Sequence, residues 1–276
     1  MDGLTLTDAK GVLAPLNFTM PMAEKPYSYN YEPPPGVAPR NTREETHQVK
    51  VLDARAVADQ LSLEREGFVL LHRPTAAKSL YDEAEIARVY YPECERLIAE
   101  ATGAVRVVAF DHIVRNAALS AKGNPIKLPA SRVHNDYTAW SAPQRVRDLM
   151  GAEAEELLKH RYAEINLWRP IRGPLLRSPL ALCDAQTLSE ENLVASELRY
   201  PDRTGETYAV TYNPAQRWFY FPKMLADEAV LIRCFDSARE GAARFSAHGA
   251  FEDPNSPADA PPRESIEVRA LVFFAD

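Results

Sequence analysis

The sequence predicts a mainly β protein with flanking helices, built around a double-stranded β-helix, or jelly-roll, core. Beyond residue 103 the chain breaks into short runs rich in β-branched and aromatic residues, with turn residues between them. Ahead of these runs, helical spacing of apolar positions occupies roughly residues 55 to 102. Helices followed by many short strands argue for a sandwich or barrel with the helices packed on one face.

Taken in order, residues 1–50 carry few periodic apolar positions but many aromatics and prolines, as in KPYSYNYEPPPGVAPRN. They read as an extended arm packed on the body, with Tyr27, Tyr29 and Tyr31 alternating toward it. Residues 51–276 read as a single domain. DARAVADQLSLEREG predicts a helix ending at Gly67, and FVLLH a short strand. A second helix is expected over about 80–102, where Ile86, Val89, Tyr90, Leu97, Ile98 and Ala101 keep helical spacing. The strand runs are VRVVAF, HIVR, AEINLWRP, PLALCD, YAVTY, RWFYF, AVLIRCF and SIEVRALVFF, interrupted by a helix over about 143–158. Turn chemistry is clear at Asn213–Pro214 and in RPIRGP. Residues 185–206, polar and acidic, suit a lid-like insertion over a pocket.

Composition narrows the function classes. A chain of 276 residues, 46% hydrophobic and 26% charged, has the balance of a soluble globular protein. Its net charge of −7, with no clustered Lys or Arg, argues against a nucleic-acid partner and for a small-molecule substrate. Cys94, Cys183 and Cys234 are far apart and odd in number, which fits a reducing, cytoplasmic setting. No apolar run approaches the roughly 18 residues of a membrane span, and no signal peptide is evident. Oligomeric state is not encoded in any feature of the sequence.

The chemistry centres on SRVHNDYTAW, residues 131–140. On an extended strand His134 and Asp136 leave the same face of the backbone. A mononuclear iron site of the facial type needs two imidazoles and one carboxylate, leaving other positions for substrate and O₂. The third ligand must come from a distant strand. His47, His72 and His160 read as surface or capping residues, which leaves His248 and, as the competitor, His112. His112 could instead line the pocket with Arg115. After His248, the last strand alternates Arg263, Ser265, Glu267 and Arg269 with apolar neighbours. Polar side chains facing into a barrel need partners. An Arg-x-Ser pair offers them to a dicarboxylate, because guanidinium forks onto carboxylate and the hydroxyl adds a hydrogen bond. A bound 2-oxoglutarate has that carboxylate, and its other end can chelate iron.

In this order HND, the distal histidine and RES resemble the Fe(II)/2-oxoglutarate dioxygenase superfamily. More narrowly, YSYNYEPPPGVAPRN, FDHIVR, HNDYT, INLWRPIRGPLLRSPLALCDAQTL, YNPAQRWFYFPKM and RESIEVR are similar to the cephem hydroxylase-like and fungal hydroxylase/desaturase family, over about residues 25–273. The resemblance implies His134, Asp136 and His248 on Fe(II), and Arg263 with Ser265 on 2-oxoglutarate. It implies Asn166 and Trp168 near the co-substrate, and Arg169 or Arg269 as a second anion anchor. Tyr137 and Trp140, just past the metal strand, are expected to border the substrate pocket. Gly249 departs from the family pattern, which more usually has a hydroxylated residue there. The implied reaction couples O₂ and 2-oxoglutarate to oxidation of an unactivated C–H by hydroxylation, desaturation or related radical chemistry. Two other readings stay open: a cupin-type metal dioxygenase without 2-oxoglutarate, and a non-catalytic jelly-roll binding module.

Overall fold

The structure, a computed structural model, describes residues 9–121, 126–241 and 243–275. Two sheets lie face to face, as a jelly roll requires. The larger has nine strands: β1 (Gly11–Thr19), β2 (Tyr27–Tyr29), β3 (Glu44–Asp53), β6 (His134–Asn135), β8 (Leu180–Cys183), β9 (Leu193–Arg199), β10 (Thr204–Val210), β11 (Trp218–Tyr220) and β13 (His248–Ala250), in the order β1-β3-β11-β8-β13-β6-β10-β9-β2. The smaller has five: β4 (Phe68–His72), β5 (Arg106–Asn116), β7 (Tyr162–Pro170), β12 (Glu228–Asp236) and β14 (Glu264–Phe273), in the order β4-β12-β7-β14-β5.

Strand periodicity decides what each face buries. On β7 and β12, Tyr162, Trp168, Val230, Ile232 and Cys234 point inward and meet Leu180, Leu182, Phe219 and Phe221 of the larger sheet. Ala163, Ile165, Leu167, Ala229 and Leu231 point the other way, into a second core under the helices. That helical layer is α1 (Glu83–Glu85), a π turn over Ile86–Tyr90 and α2 (Tyr91–Thr102), close to the helix expected over 80–102. Asp82 starts it by accepting from the Ala84 and Glu85 amides, an N-cap that satisfies two otherwise orphan donors. A short helix, α3 (Ala117–Ser120), follows β5. The helix expected over 143–158 is α4 (Ser141–Met150) and α5 (Ala154–Leu157), separated by a 3₁₀ turn at Gly151–Glu153.

Three expectations differ from what is observed. Residues 11–19 and 44–53, read as part of an arm, form the paired strands β1 and β3, and Tyr27–Tyr29 pairs with β9. Pro15 masked the first of these, yet β1 is an edge strand, where a proline is tolerated. The first eight residues of the arm lie outside the described residues. The helix expected up to Gly67 is only a 3₁₀ stretch, Arg55–Gln60, followed by turns. Gly67 itself has φ +84 and a Cβ there would meet Ser246 Cβ at 2.9 Å, so both its conformation and its neighbour demand glycine. Residues 185–206, read as a surface excursion, contain two 3₁₀ turns, all of β9 and the start of β10, so part of the stretch belongs to the larger sheet. No helix among the described residues is long and apolar enough to cross a membrane.

Candidate metal centre

β6 is only two residues long, but it is held on both sides. His134 pairs with Ala209 of β10 and with His248 of β13, so the two histidines are direct cross-strand neighbours with ring centroids 4.7 Å apart. Asn135, on the opposite face, donates from its side-chain amide to the Cys234 carbonyl at 2.8 Å and so ties β6 to the smaller sheet. Asp136 follows at the end of the strand. One ligand atom each from His134, Asp136 and His248 lie within 4.8 Å of one another, the one such group of His, Cys, Asp and Glu among the described residues.

The hydrogen bonds fix which atoms face the centre. His134 Nδ1 stands 2.9 Å from the Arg132 carbonyl and His248 Nδ1 stands 3.1 Å from the Ser246 carbonyl. Each Nδ1 therefore carries the proton, and each Nε2 presents a lone pair, which is how a metal-binding imidazole is normally oriented. His248 Nε2 is buried with no hydrogen-bond partner. Asp136 Oδ2 accepts from Asn166 Nδ2 at 2.7 Å and lies 3.3 Å from Arg269 Nε, leaving Oδ1, 3.6 Å from His134 Nε2, for the centre. Asn166 and Arg269 are register partners on β7 and β14, so one cross-strand pair braces the carboxylate.

Burial and the neighbouring His248 push His134 down to about 3, which keeps the imidazole neutral. Burial works the other way on Asp136, but the charge of Arg269, helped by the Asn166 hydrogen bond, outweighs it and holds the carboxyl below its usual range. Two neutral imidazoles and one carboxylate, fixed before any ion arrives, fit a divalent cation such as Fe(II).

Two cavities meet this triad from different sides. The smaller is lined by His134 and His248 together with Trp168, Arg115, Arg263 and Glu267. Arg263 and Ser265 are both buried. Arg263 donates to the Ser178 carbonyl at 2.9 Å and its plane lies 5.6 Å from the Trp168 ring, but its Nε and the Ser265 hydroxyl have no partner. Burial, then the nearby Arg115, lowers the Arg263 guanidinium to about 9, so this site holds an uncompensated cation. The larger cavity, about 560 Å³, has Asp136, Tyr137 and Arg269 for its floor, α4 with Trp140 for one wall and the β9–β10 hairpin from Leu198 to Thr207 for the other. That volume lies in the usual range for small-molecule sites.

The structure thus brings nearly all the sequence-identified residues together, with two corrections. His112 faces the helical layer, 2.9 Å from the Tyr91 hydroxyl and 3.4 Å from Glu83, and lines neither cavity. It cannot share a wall with Arg115, because an odd spacing on a strand puts the two on opposite faces. Arg169 likewise points outward, 5.2 Å from the Tyr90 ring, so Arg269 alone stands beside the triad. Sequence reading missed the polar stripe of α4, Ser141, Gln144, Arg145 and Asp148, which lines the larger cavity. Its three-to-four-residue spacing was the available signal. Gly249, the departure noted above, has a use here. A Cβ on it would lie 3.3 Å from Arg132 O and Val133 Cα, so glycine lets the strand bearing His248 approach the one bearing His134.

The comparisons with known proteins agree. Residues 16–273 match the family model described as oxidoreductase/YMDC permease-like domain. The hydroxylase/desaturase efuI of Hormonema carpetanum is 34% identical over 254 residues, covering 84% of this chain and 85% of the relative. The Fe(II)/2-oxoglutarate-dependent dioxygenase nvfI of Aspergillus novofumigatus is 33% identical over 252 residues, covering 89% and 90%. A solved structure, the iron and alpha-ketoglutarate-dependent endoperoxidase NvfI, superposes with a TM-score of 0.87 at 30% identity over 95% of this chain and 98% of that one. Matched along nearly its whole length in sequence and in fold, the chain belongs to the hydroxylase/desaturase family of Fe(II)/2-oxoglutarate-dependent dioxygenases.

Proposed function

We propose that His134, Asp136 and His248 hold Fe(II), that Arg263 and Ser265 anchor 2-oxoglutarate, and that the larger cavity receives a small-molecule, natural-product substrate. The observation that carries this assignment is the pair of cavities reaching one triad from different sides, the narrow one ending in a buried arginine that meets no carboxylate and whose Nε, like the Ser265 hydroxyl, has no partner. A dicarboxylate answers that arginine with a bidentate, charge-assisted pair. Iron, 2-oxoglutarate and O₂ supply the oxidising power when bound; the protein supplies placement. Arg263 and Ser265 fix the far carboxylate, Trp168 flanks it, and Asn166 with Arg269 keeps Asp136 ionised and single-faced. Tyr137 and Trp140 border the substrate, whose reacting C–H sits at the Asp136 end of the larger cavity. The outcome is hydroxylation, desaturation or related radical chemistry.

The unpartnered Arg263 Nε and Ser265 hydroxyl favour this reading over a dioxygenase that needs no 2-oxoglutarate, and the braced triad favours it over a simple binding module. Three buried, unpaired cysteines suit the cytoplasmic setting read from the sequence. Anaerobic titration with Fe(II) and 2-oxoglutarate tests the assignment through the visible charge-transfer band of the chelate. The band is expected in the wild type and lost in His134→Ala and Asp136→Ala; its absence from the wild type, or its survival in both variants, overturns the assignment.

A further inference from the structure

We propose that the substrate carries a carboxylate, received in the larger cavity by Arg145 of α4 and Arg203 of the β9–β10 turn, with an apolar body lying on Trp140 and Leu149. This deepens the assignment of that cavity as the substrate site and rests on it.

Some of the charge lining the cavity is already matched and some is left over. The carboxylates of the cavity are engaged. Glu206 accepts from Lys25 Nζ at 2.7 Å and from the Thr138 hydroxyl at 2.6 Å. Asp136 is held by Asn166 and Arg269, and Asp148 accepts from Gln144 at 2.9 Å. Among the cations, Arg269 faces Asp136, with Asp111 at 3.3 Å and Glu267 at 3.6 Å behind it.

Arg145 and Arg203 are different. Arg145 comes no nearer to Asp148 than 3.9 Å, beyond hydrogen-bond reach, and its Nε is buried without an acceptor. Its guanidinium lies 5.7 Å from the Phe110 ring. Arg203 lies over Tyr200 at 4.1 Å and has no carboxylate partner among the described residues. Arg203 is set by an aromatic ring alone, while Arg145 faces Asp148 at 3.9 Å and the field of the buried Glu164 without a hydrogen bond to either, so donors on both guanidiniums stay available.

The two arginines come from opposite walls, one helical and one from the hairpin, so an anion between them is gripped from both sides. Trp140 is 55% exposed and Leu149 40% exposed, and both line this same cavity. An apolar skeleton covers them at a gain that scales with the area removed from water. A singly charged carboxylate fits better than a doubly charged phosphate, because Asp148 and Glu206 line the same cavity and repel the extra charge.

The test uses protein loaded anaerobically with Fe(II) and saturating 2-oxoglutarate, with loading read from the charge-transfer band. Calorimetric titrations compare 4-phenylbutyrate, 1-naphthylacetate and abietate with their methyl esters. At least one acid is expected to bind about tenfold tighter than its ester, the usual worth of a charge-assisted hydrogen bond. In Arg145→Gln and in Arg203→Gln that preference shrinks toward parity while the band is unchanged, and Arg145→Lys restores part of it. Esters binding as tightly as acids, no acid binding at all, or a preference that survives both substitutions overturns the proposal. Arg203 sits on an exposed turn, so its variant keeps the test decisive if Arg145→Gln folds poorly. Should the band be missing, the iron assignment fails separately. The acid-over-ester comparison is then made on the unloaded protein, where a preference dependent on Arg145 and Arg203 supports the carboxylate and equal binding refutes it.

Discussion

Replacing Arg263 with Met should move two measurements in opposite directions. In the protein without 2-oxoglutarate, the Arg263 guanidinium is buried, and burial lowers it from its usual 12.5 to about 9. At about 1.4 kcal/mol per pH unit, the charge burdens the folded state by roughly 5 kcal/mol at most. The sign follows from linkage. Between about 9 and 12.5 the folded chain has released a proton that the unfolded chain still holds, so stability rises with pH there and the full burden is present at pH 7. Methionine removes it, but also the hydrogen bond to the Ser178 carbonyl and the contact with Trp168, each worth about 1 kcal/mol. The net gain is about 2–3 kcal/mol, or a rise in Tm of about 5 °C for a chain of this size. Affinity for 2-oxoglutarate should meanwhile fall by about 30-fold to about 4,000-fold, because truncating one partner of a buried, hydrogen-bonded charge pair costs about 2–5 kcal/mol. Calorimetry of the unloaded protein reads the first quantity and anaerobic titration of the charge-transfer band the second. A variant that melts lower than the wild type and still binds 2-oxoglutarate normally would refute the reasoning, since Arg263 would then be a structural cation.

Three further perturbations probe the surrounding shell. Asn166→Ala leaves Asp136 Oδ2 with Arg269 alone and should weaken Fe(II) binding by about 10–100-fold, as loss of an outer partner of a ligand generally does; unchanged affinity by competition with a chromophoric chelator counts against the bracing role. Gly249→Ser puts a Cβ 3.3 Å from backbone atoms of Arg132 and Val133, so it should lower both Tm and Fe(II) affinity with the far-UV spectrum retained; wild-type affinity would show that the two strands can part without moving the ligands. Glu164 is buried near Arg145 and Tyr137, and burial outweighs both and raises its carboxyl well above the usual range. The folded chain keeps a proton that the unfolded chain loses above its ordinary carboxyl pKa, so this residue's contribution is full at low pH and declines as pH rises. Glu164→Gln should flatten that decline, raising Tm at pH 8 more than at pH 4.5; an equal shift at both would mean the carboxyl is ionised in the folded protein.

The core of the site was legible because strand parity carries long-range information in local sequence. Arg263, Ser265, Glu267 and Arg269 alternate with Ile266, Val268 and Ala270, so a polar inner face and an apolar outer face could be read directly, and they occupy those faces. The same rule applied to His112 and Arg115 separates them, which composition alone did not. What escaped was set by contacts distant in the chain. β1 is stable because Leu16, Phe18, Val49 and Val51 pack with Trp218 and Tyr220, which no window around Pro15 reveals. The larger cavity exists only because α4 lies across from the β9–β10 hairpin, so Arg145 and Arg203 have no common signature in sequence.

The inner face of β14 also explains why one strand can carry so much charge inside a core. Arg269 is compensated from within, by Asp136, Glu267 and Asp111, and burial of this group is outweighed by those carboxylates, which keep it firmly charged. Arg263, six residues away on the same face, has no such set and is held by a carbonyl and a ring. One cation thus belongs to the protein's own electrostatics, and the other, with no carboxylate of its own, is the one proposed to meet a ligand. A structural explanation of both would require a carboxylate near Arg263 that is already hydrogen-bonded to it. Glu267 and Glu252 lie near enough to favour its charge, yet neither pairs with it, and the guanidinium stays depressed rather than raised. The contrast between Arg269 on β14 and Arg263 just before it therefore supports the proposed co-substrate anchor more sharply than the motif that contains them.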